Sequence, residues 1–564
     1  MKQKKVLLML LPFWDPQIPP LGIACLKSYI SSHDFPVKTA DANVEEKLRE
    51  CRDRYYQVLK ENVPENKRKH LYNIGHEVLK NHMMAHIHYE NEKKYRELVK
   101  IVVSKTFFCQ WDDPQLNRLI QIIDDFYIQL EKYILELLDR EKPGVLGISV
   151  YGGTLAASLF TFKLAKDKYP GIKTVMGGGV FAGELAVDSP NFRFFLQAAP
   201  YIDKIMVGEG ELLFLKFLRD ELPEPESQRV YSIKDVNHQF LDISSVGTPD
   251  FSDFDISLYP HLATYTSRSC PFQCNFCVET VYWGKYRKKS GSQIVKELKE
   301  LQQTQGYRFF VLCDSLLNPV IQDLSRELLK TSSSFYWDGY LRVDKTVCDP
   351  GNTLLWRQAG FYRARLGLES GSQKMLEAMG KKISLDQMKA AVSSLASSGI
   401  KTTTMWLVGY PGETEKDFKQ TLNFIEELRD DIYEADLNPF WYFLTGQMKS
   451  ADWARQNNSI LLYPAWARDM LVAQTWILEG EPSREETYER VNRFVQRCNQ
   501  WGVPNPYTLP EIYEADKRWK QLHKNAVPSL TDLQGSHTFI DENKRVEKLL
   551  LAKNPLQQDE TFEF

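Results

Sequence analysis

The sequence predicts an α/β chain with two parallel-sheet modules in series, a helical insertion inside the first, and a mainly helical C-terminal region. Three observations carry this. Short apolar runs alternate with helical stretches over 5–43 and 144–225, and again over 262–447. Residues 44–140 break that rhythm, with Glu, Lys, Arg, Tyr and His at helical spacing and almost no glycine. Glycines follow several of the apolar runs directly, where a parallel sheet presents the carboxyl ends of its strands.

Taken in order, VLLMLL is the continuous apolar run of a first strand covered on both faces. PPLGIACLKSYISSH reads as a helix and FPVKTADAN as a second strand. After the insertion, GVLGISVY, IKTVMGGG and DKIMVGEGE read as strands, with TLAASLFTFKLAKDKY and ELLFLKFLRDEL as helices. This is a Rossmann-like module over 1–225, with the insertion at 44–140. A linker is expected at 226–259. The second module, 260–447, has strands at ATYTSRS, RFFVLCDS, FYWDGYLRV, RARLGLES, KTTTMWLVG and LNPFWYFL. Helices such as SQIVKELKELQQTQ lie between them, which predicts a partial (β/α)6 TIM-type barrel with its chemistry at the carboxyl ends. Residues 448–564 read as helical segments followed by a polar tail.

At 564 residues the chain is long enough for about three domains. With 43% apolar and 26% charged residues it has the balance of a soluble globular protein. A net charge of -3 gives no general nucleic-acid or membrane surface, and no apolar run reaches transmembrane length. The charged start followed by an apolar run imitates a signal peptide. It lacks a small-residue cleavage site, however, and Pro12, Pro16, Pro19 and Pro20 follow at once. Six of the nine cysteines are scattered, and an odd total argues against a disulfide framework. A reducing cytoplasm is the expected compartment.

The other three cysteines define the chemistry. In SRSCPFQCNFCVET, Cys270, Cys274 and Cys277 stand at C-x3-C-x2-C directly after a strand. Three thiolates can hold an iron–sulfur cluster and leave one iron open. A structural zinc site needs a fourth ligand, but there is no second CxxC, and the nearest histidine, His261, lies on the approach to the strand.

This CxxxCxxC after the first strand of a partial barrel resembles the signature of the radical S-adenosylmethionine (SAM) superfamily. The resemblance covers about 250–447. It implies a 4Fe-4S cluster whose open iron chelates SAM, and reductive cleavage of SAM to a 5′-deoxyadenosyl radical. It assigns Phe276 to the adenine contact, and Glu369, Ser370 and Gly371 to the SAM-binding strand. Arg342 faces a carboxylate, Gly409 opens a GxPGET-like turn, and Asn438 with Pro439 starts the strand nearest adenine. PGET also reads as a plain turn, and Arg342 as a structural ion pair.

The first half resembles the cobalamin-binding domain that precedes the radical domain in one large subgroup. Gly177, Gly178 and Gly179 match its glycine-rich strand end. Glu209, in VGEGE, matches its last turn, and Ser149 sits near the cofactor tail. A DxHxxG motif supplies the lower cobalt ligand in many cobalamin proteins. Here Asp15-Pro16-Gln17-Ile18-Pro19-Pro20 stands at that loop, without histidine or glycine. The resemblance implies methylation of an unactivated carbon of a peptide or natural product, with flavodoxin or ferredoxin as reducing partner. Radical cyclisation or epimerisation is the alternative, and a non-catalytic cobalamin or iron–sulfur sensor a remoter one. A tRNA methylthiotransferase would carry a further cysteine triad upstream, and Cys25, Cys51 and Cys109 are too scattered for that.

Outside these motifs, His82, His86 and His88 are expected on a solvated helix face. The run Lys285, Arg287, Lys288, Lys289 reads either as a solvated turn or as a contact for an acidic substrate or electron donor. Trp14 and Trp283 are expected in the core or at a cofactor cavity.

Overall fold

The computed structural model describes residues 4–14, 18–223, 228–259, 261–331, 335–505 and 509–523. The polar tail beyond 523 and the loop residues Asp15, Pro16 and Gln17 lie outside these. The first sheet contains β1 (Val6–Leu10), β2 (Val37–Asp41), β3 (Val145–Ser149), β4 (Lys173–Gly177), β5 (Lys204–Met206) and β6 (Val230–Tyr231). Its order is β2-β1-β3-β4-β5-β6, parallel throughout. All five residues of β1 are buried, as expected for a strand covered on both faces. The strand order reverses between β1 and β3, so the carboxyl ends of those two strands form the crevice where such sheets bind ligands. β6 lies inside the stretch expected to be a linker. Its two residues, VY, give no periodic signal, and pairing with β5 places them.

Helix α1 (Leu21–Ser31) joins β1 to β2, and four helices make up the insertion: α2 (Glu46–Asn62), α3 (Leu71–His88), α4 (Glu92–Phe107) and α5 (Asp113–Glu141). A capping box, in which Asp112 and Gln115 bond each other's backbone, starts α5. The expected solvated histidine face on α3 is corrected. His82 is fully buried, with Nδ1 at 2.9 Å from the Tyr55 hydroxyl and Nε2 at 2.9 Å from that of Tyr95. His86 stacks on Tyr127 at 4.8 Å. α3 is flanked by α2, α4 and α6 (Leu155–Lys168), so it has little free face, and its polar residues bond inside the bundle.

In the second module, β7 (Leu262–Thr264) is followed by a small antiparallel pair, β8 (Ser267–Arg268) with β9 (Arg287–Lys288). Then come β10 (Phe309–Leu312), β11 (Tyr336–Arg342), β12 (Phe361–Glu369), β13 (Lys401–Val408) and β14 (Glu434–Pro439). The six-stranded sheet runs β14-β13-β12-β11-β10-β7, every neighbour parallel. Two strand expectations shift. ATYTSRS divides between β7 and β8. The last strand is EADLNP, so Asn438 and Pro439 end it, at the functional rim, and do not start it.

The C-terminal region has helices Ala451–Gln456, Arg484–Gln500 and Leu509–Leu522. It also has an antiparallel pair, β15 (Asn458–Leu461) with β16 (Trp476–Glu479). No described helix is long and apolar enough to cross a membrane.

Candidate functional site

The cysteines lie on the loop leaving β8, each half-buried. Ser269, at φ 74°, turns the chain out of the strand, and its hydroxyl bonds the Gly284 carbonyl at 2.6 Å. Asn275 fastens the loop to the turn after Met375: its N–H donates to Met379 O at 2.9 Å and its Nδ2 to Ala378 O at 2.8 Å. Burial pushes the Cys277 thiol up to about 12 and raises that of Cys270, so cluster binding as thiolates would release protons. Among the described residues no three His, Cys, Asp or Glu side chains converge on a single ion. Three thiols on one short loop are a donor set that suits an iron–sulfur cluster with one iron left open.

Asp314, just past β10, holds the approach to this loop. Its carboxylate accepts from Thr266 N–H (2.9 Å) and Oγ1 (2.9 Å), Ser267 Oγ (2.7 Å) and Ser267 N–H. Burial outweighs these bonds and pushes its carboxyl up to about 6.

Several of the other residues expected at the SAM site lie at the same rim. Arg342 ends β11, with Nη1 at 3.3 Å from Cys274 Sγ and its guanidinium 4.2 Å over the Phe272 ring. It faces the cysteine loop, and among the described residues no carboxylate pairs with it. Glu369 sits at a bulge ending β12, at φ 66°, and pairs with Lys381 at 2.5 Å. The Lys381 ammonium is 5.8 Å from the centre of the Phe276 ring. Phe276 packs into a separate apolar cluster with Met375, Met379, Tyr410, Met448 and Trp453.

Ser370 points away from this rim: its hydroxyl lies 3.2 Å from Thr421 Oγ1 on the helix Glu415–Glu427. Gly371 packs on that helix, where a Cβ would lie 2.6 Å from Thr421 Cα. Gly409, at φ 84°, gives its N–H to Glu413 Oε2 at 2.9 Å, and Glu413 is buried against Arg490. The PGET turn is thus a structural lock onto the helix Arg484–Gln500. The Asn438 amide accepts from Asn73 Nδ2 of α3 at 2.9 Å.

On the first sheet, the Ser149 hydroxyl lies beside the Tyr151 side chain. Tyr151 in turn packs on Trp14 at 4.6 Å, and Trp14 is 44% exposed. Gly178, at φ 108°, lies flush on the Val150 backbone, and Gly179 on the Tyr151 ring. Gly177 is open, with only Met206 O within 3.7 Å of where a Cβ would stand. These residues border the β1/β3 crevice with backbone and aromatic faces, a surface that suits a broad, flat ligand.

Glu209 is already engaged. Its carboxylate is held by Arg268 Nη1 at 3.1 Å and Arg287 Nη1 at 2.9 Å. Glu211 binds both Nη atoms of Arg268, Nη1 at 3.2 Å. The VGEGE turn therefore ties the first module to the strand that delivers Cys270. This corrects the reading of 285–289 as a solvated turn: Arg287 is in this network, and Lys289 is buried against Glu297 at 2.8 Å. Trp283 lies over Arg268 at 5.1 Å. Motif reading gave no role to Arg268, Glu211, Asp314 or Lys381. Arg268 stands two residues before Cys270 and Glu211 closes the VGEGE turn, while Asp314 and Lys381 carry no local signal.

Residues 264–425 match the Radical SAM superfamily. An anaerobic magnesium-protoporphyrin IX monomethyl ester cyclase of Rubrivivax gelatinosus is 26% identical over 343 residues, 56% of this chain and 59% of that one. The cobalamin-dependent radical SAM methyltransferase TokK of Streptomyces tokunonensis is 24% identical over 343 residues, 53% of this chain and 47% of its own. The chain thus spans less than two thirds of both relatives. In fold it is similar to the radical SAM methyltransferase TsrM from Kitasatospora setae, with TM-score 0.58 at 14% identity, covering 97% of this chain and 99% of that one. It is also similar to the cobalamin-dependent radical enzyme OxsB, with TM-score 0.54 at 14% identity, covering 97% and 84%.

Proposed function

We propose that the chain is a cobalamin-dependent radical SAM enzyme that methylates an unactivated carbon of a peptide or natural-product substrate. The observation that carries this is the cysteine loop at the carboxyl end of one parallel sheet, tied through Arg268 to the glycine-lined carboxyl end of another. When bound, a three-cysteine 4Fe-4S cluster with SAM supplies reductive generation of a 5′-deoxyadenosyl radical, and cobalamin supplies a methyl carrier.

The chain's own residues place and shield these groups. Cys270, Cys274 and Cys277 hold the cluster, and Arg342 and Lys381 bring positive charge toward its thiolates. Glu369 and Phe276 border the space where SAM binds. Ser149, Tyr151, Gly177 and Trp14 border the corrin site of the 1–225 module. Ser370, Gly371 and Gly409 hold the rim in shape without touching a cofactor. The loop after β1 has no histidine that could offer a bound cobalamin an imidazole. A flavodoxin- or ferredoxin-type donor supplies the electron.

A second reading is ring formation without methyl transfer. It is favoured by the similarity to the Rubrivivax cyclase, which is no weaker than that to TokK. Product mass separates the two, since methylation adds a methyl group and cyclisation removes two hydrogens.

The test is anaerobic reconstitution with iron, sulfide and hydroxocobalamin, then desalting, spectroscopy and a 5′-deoxyadenosine assay with SAM and dithionite. Retained corrin with a cluster, and deoxyadenosine absent in Cys274→Ala, is the expected result. Deoxyadenosine without retained corrin removes the methyl carrier and selects the second reading. No deoxyadenosine from wild type with a full cluster overturns both.

A further inference from the structure

A cavity of about 250 Å³ opens where four parts of the chain meet. Lys80 of α3, Glu184 from the loop after β4, Trp441 and Tyr442 just past β14, Gln474 just before β16 and Trp476 at its start line it.

Gln474 is the unexpected residue. Only 6% of it is exposed, yet neither Oε1 nor Nε2 has a hydrogen-bond partner among the described residues. The Trp476 indole N–H is likewise buried and unpartnered. Buried polar groups are nearly always satisfied, and leaving one unmade is unfavourable. Nor is Gln474 loosely placed. Asn191 clamps its backbone from both sides, accepting from its N–H at 3.1 Å and donating to its carbonyl at 2.9 Å. Asn191 itself is anchored to Glu184 O at 3.1 Å. The amide is therefore held at the cavity wall with one donor and one acceptor group free.

The charges nearby are matched internally. Lys80 pairs with Glu77 at 2.8 Å and Glu184 at 3.5 Å. These carboxylates push the Lys80 ammonium up despite its burial, so its charge is not free for an anionic ligand. A neutral group with a paired donor and acceptor, lying against the Trp441 and Tyr442 side chains, is what this wall complements.

We propose that the cavity is an amide-recognition subsite in which the Gln474 side chain pairs with a –CONH– edge and Trp476 donates to the same group. An amide with its N–H and C=O on one edge can come from two sources here: the peripheral carboxamides of a corrin, or a side-chain carboxamide or lactam of a substrate. Only the choice between sources rests on the proposed function.

The probe is benzamide, with benzoate and benzylamine as controls of the same ring. Each is titrated calorimetrically into the full chain without cluster or SAM, so the outcome is separate from that of the radical reaction. Benzamide is expected to bind at least about tenfold more tightly than either control, and Gln474→Met to lose about tenfold with the thermal midpoint held. Should Gln474→Met fail to fold, Gln474→Glu keeps the shape and is expected to shift preference from benzamide toward benzylamine. Benzamide binding no better than benzoate, or binding unchanged in a folded Gln474 variant, overturns the proposal. The titration is then repeated after hydroxocobalamin loading. Exclusion of benzamide, with lower corrin retention in Gln474→Met, assigns the subsite to a corrin amide. Binding undiminished by corrin assigns it to substrate.

Discussion

The Arg268 network makes a quantitative claim about how the two modules hold the cysteine loop. Arg268 and Glu211 are 5% and 4% exposed, and Glu211 engages both Nη atoms of Arg268. Glu211→Gln removes the charge at nearly constant volume and leaves a buried guanidinium short of a partner. Breaking such a pair costs roughly 3–5 kcal/mol. Arg268 keeps Glu209 at 3.1 Å, so the lower end, about 3 kcal/mol, is expected. For a module of this size that is a fall of about 6–12 °C in thermal midpoint. A double-mutant cycle with Arg268→Met, read by urea unfolding, separates the interaction from simple packing loss. The double variant is expected to be less destabilised than the sum of the singles by about 2 kcal/mol, because no lone buried charge remains. Since Arg268 stands two residues before Cys270, iron bound per chain after reconstitution should fall in Glu211→Gln even at temperatures where the chain is folded. Additivity within about 0.5 kcal/mol, together with full iron loading, would refute the coupling.

Three further outcomes follow from buried groups near the same core. Burial holds His82 down to about 3, so its contribution is full above the unfolded value near 6.5 and is lost as pH falls toward 3. About 2 kcal/mol of it is gone at pH 5. His82→Gln should flatten the drop in thermal midpoint between pH 7 and 5, and parallel curves would refute this. Asp314 has the opposite sign. Burial pushes its pKa up to about 6, so its contribution is present below pH 4 and lost as pH rises through 6, to the extent of about 3 kcal/mol. Between pH 4 and 7 wild type should lose stability relative to Asp314→Asn in urea titrations; a constant difference would contradict it. At Gly178, φ is 108° and a Cβ would meet Val150 N and O at 2.4 Å, so Gly178→Ala should cost about 3 kcal/mol. Gly177→Ala, with its nearest contact at 3.7 Å, should leave the midpoint within about 2 °C. Equal midpoints for the two variants would show that the backbone there yields.

Local chemistry was legible in the sequence wherever it was dense. The buried run VLLML, the glycine-ended strands and the three cysteines each signal through composition over a few adjacent residues. What stayed hidden depends on partners far along the chain. Glu209 matches a cofactor-domain motif, but its partners are Arg268 and Arg287, 59 and 78 residues away. His82 looks like one of a surface trio, and only the arrival of Tyr55 and Tyr95 makes it core. LNPFWYFL reads as a strand because it is apolar and aromatic. Pairing with β13 stops at Pro439, and Trp441 and Tyr442 instead wall a cavity. Apolar runs fix burial but do not say whether the buried surface is a sheet face or a binding wall.

The same distinction bears on the proposed amide subsite. The superfamily match ends at residue 425, before β14, and β14 is where the insertion meets the barrel. His70 Nε2 lies 2.9 Å from the Leu437 carbonyl, and Asn73 donates to Asn438 at 2.9 Å. One helical turn further along α3, Glu77 accepts from Thr475 Oγ1 at 2.9 Å, beside Gln474. A single helix therefore sets the position of the last barrel strand and of the C-terminal wall together. Changes in the insertion can reshape the cavity while leaving the cysteine loop and the β1/β3 crevice intact.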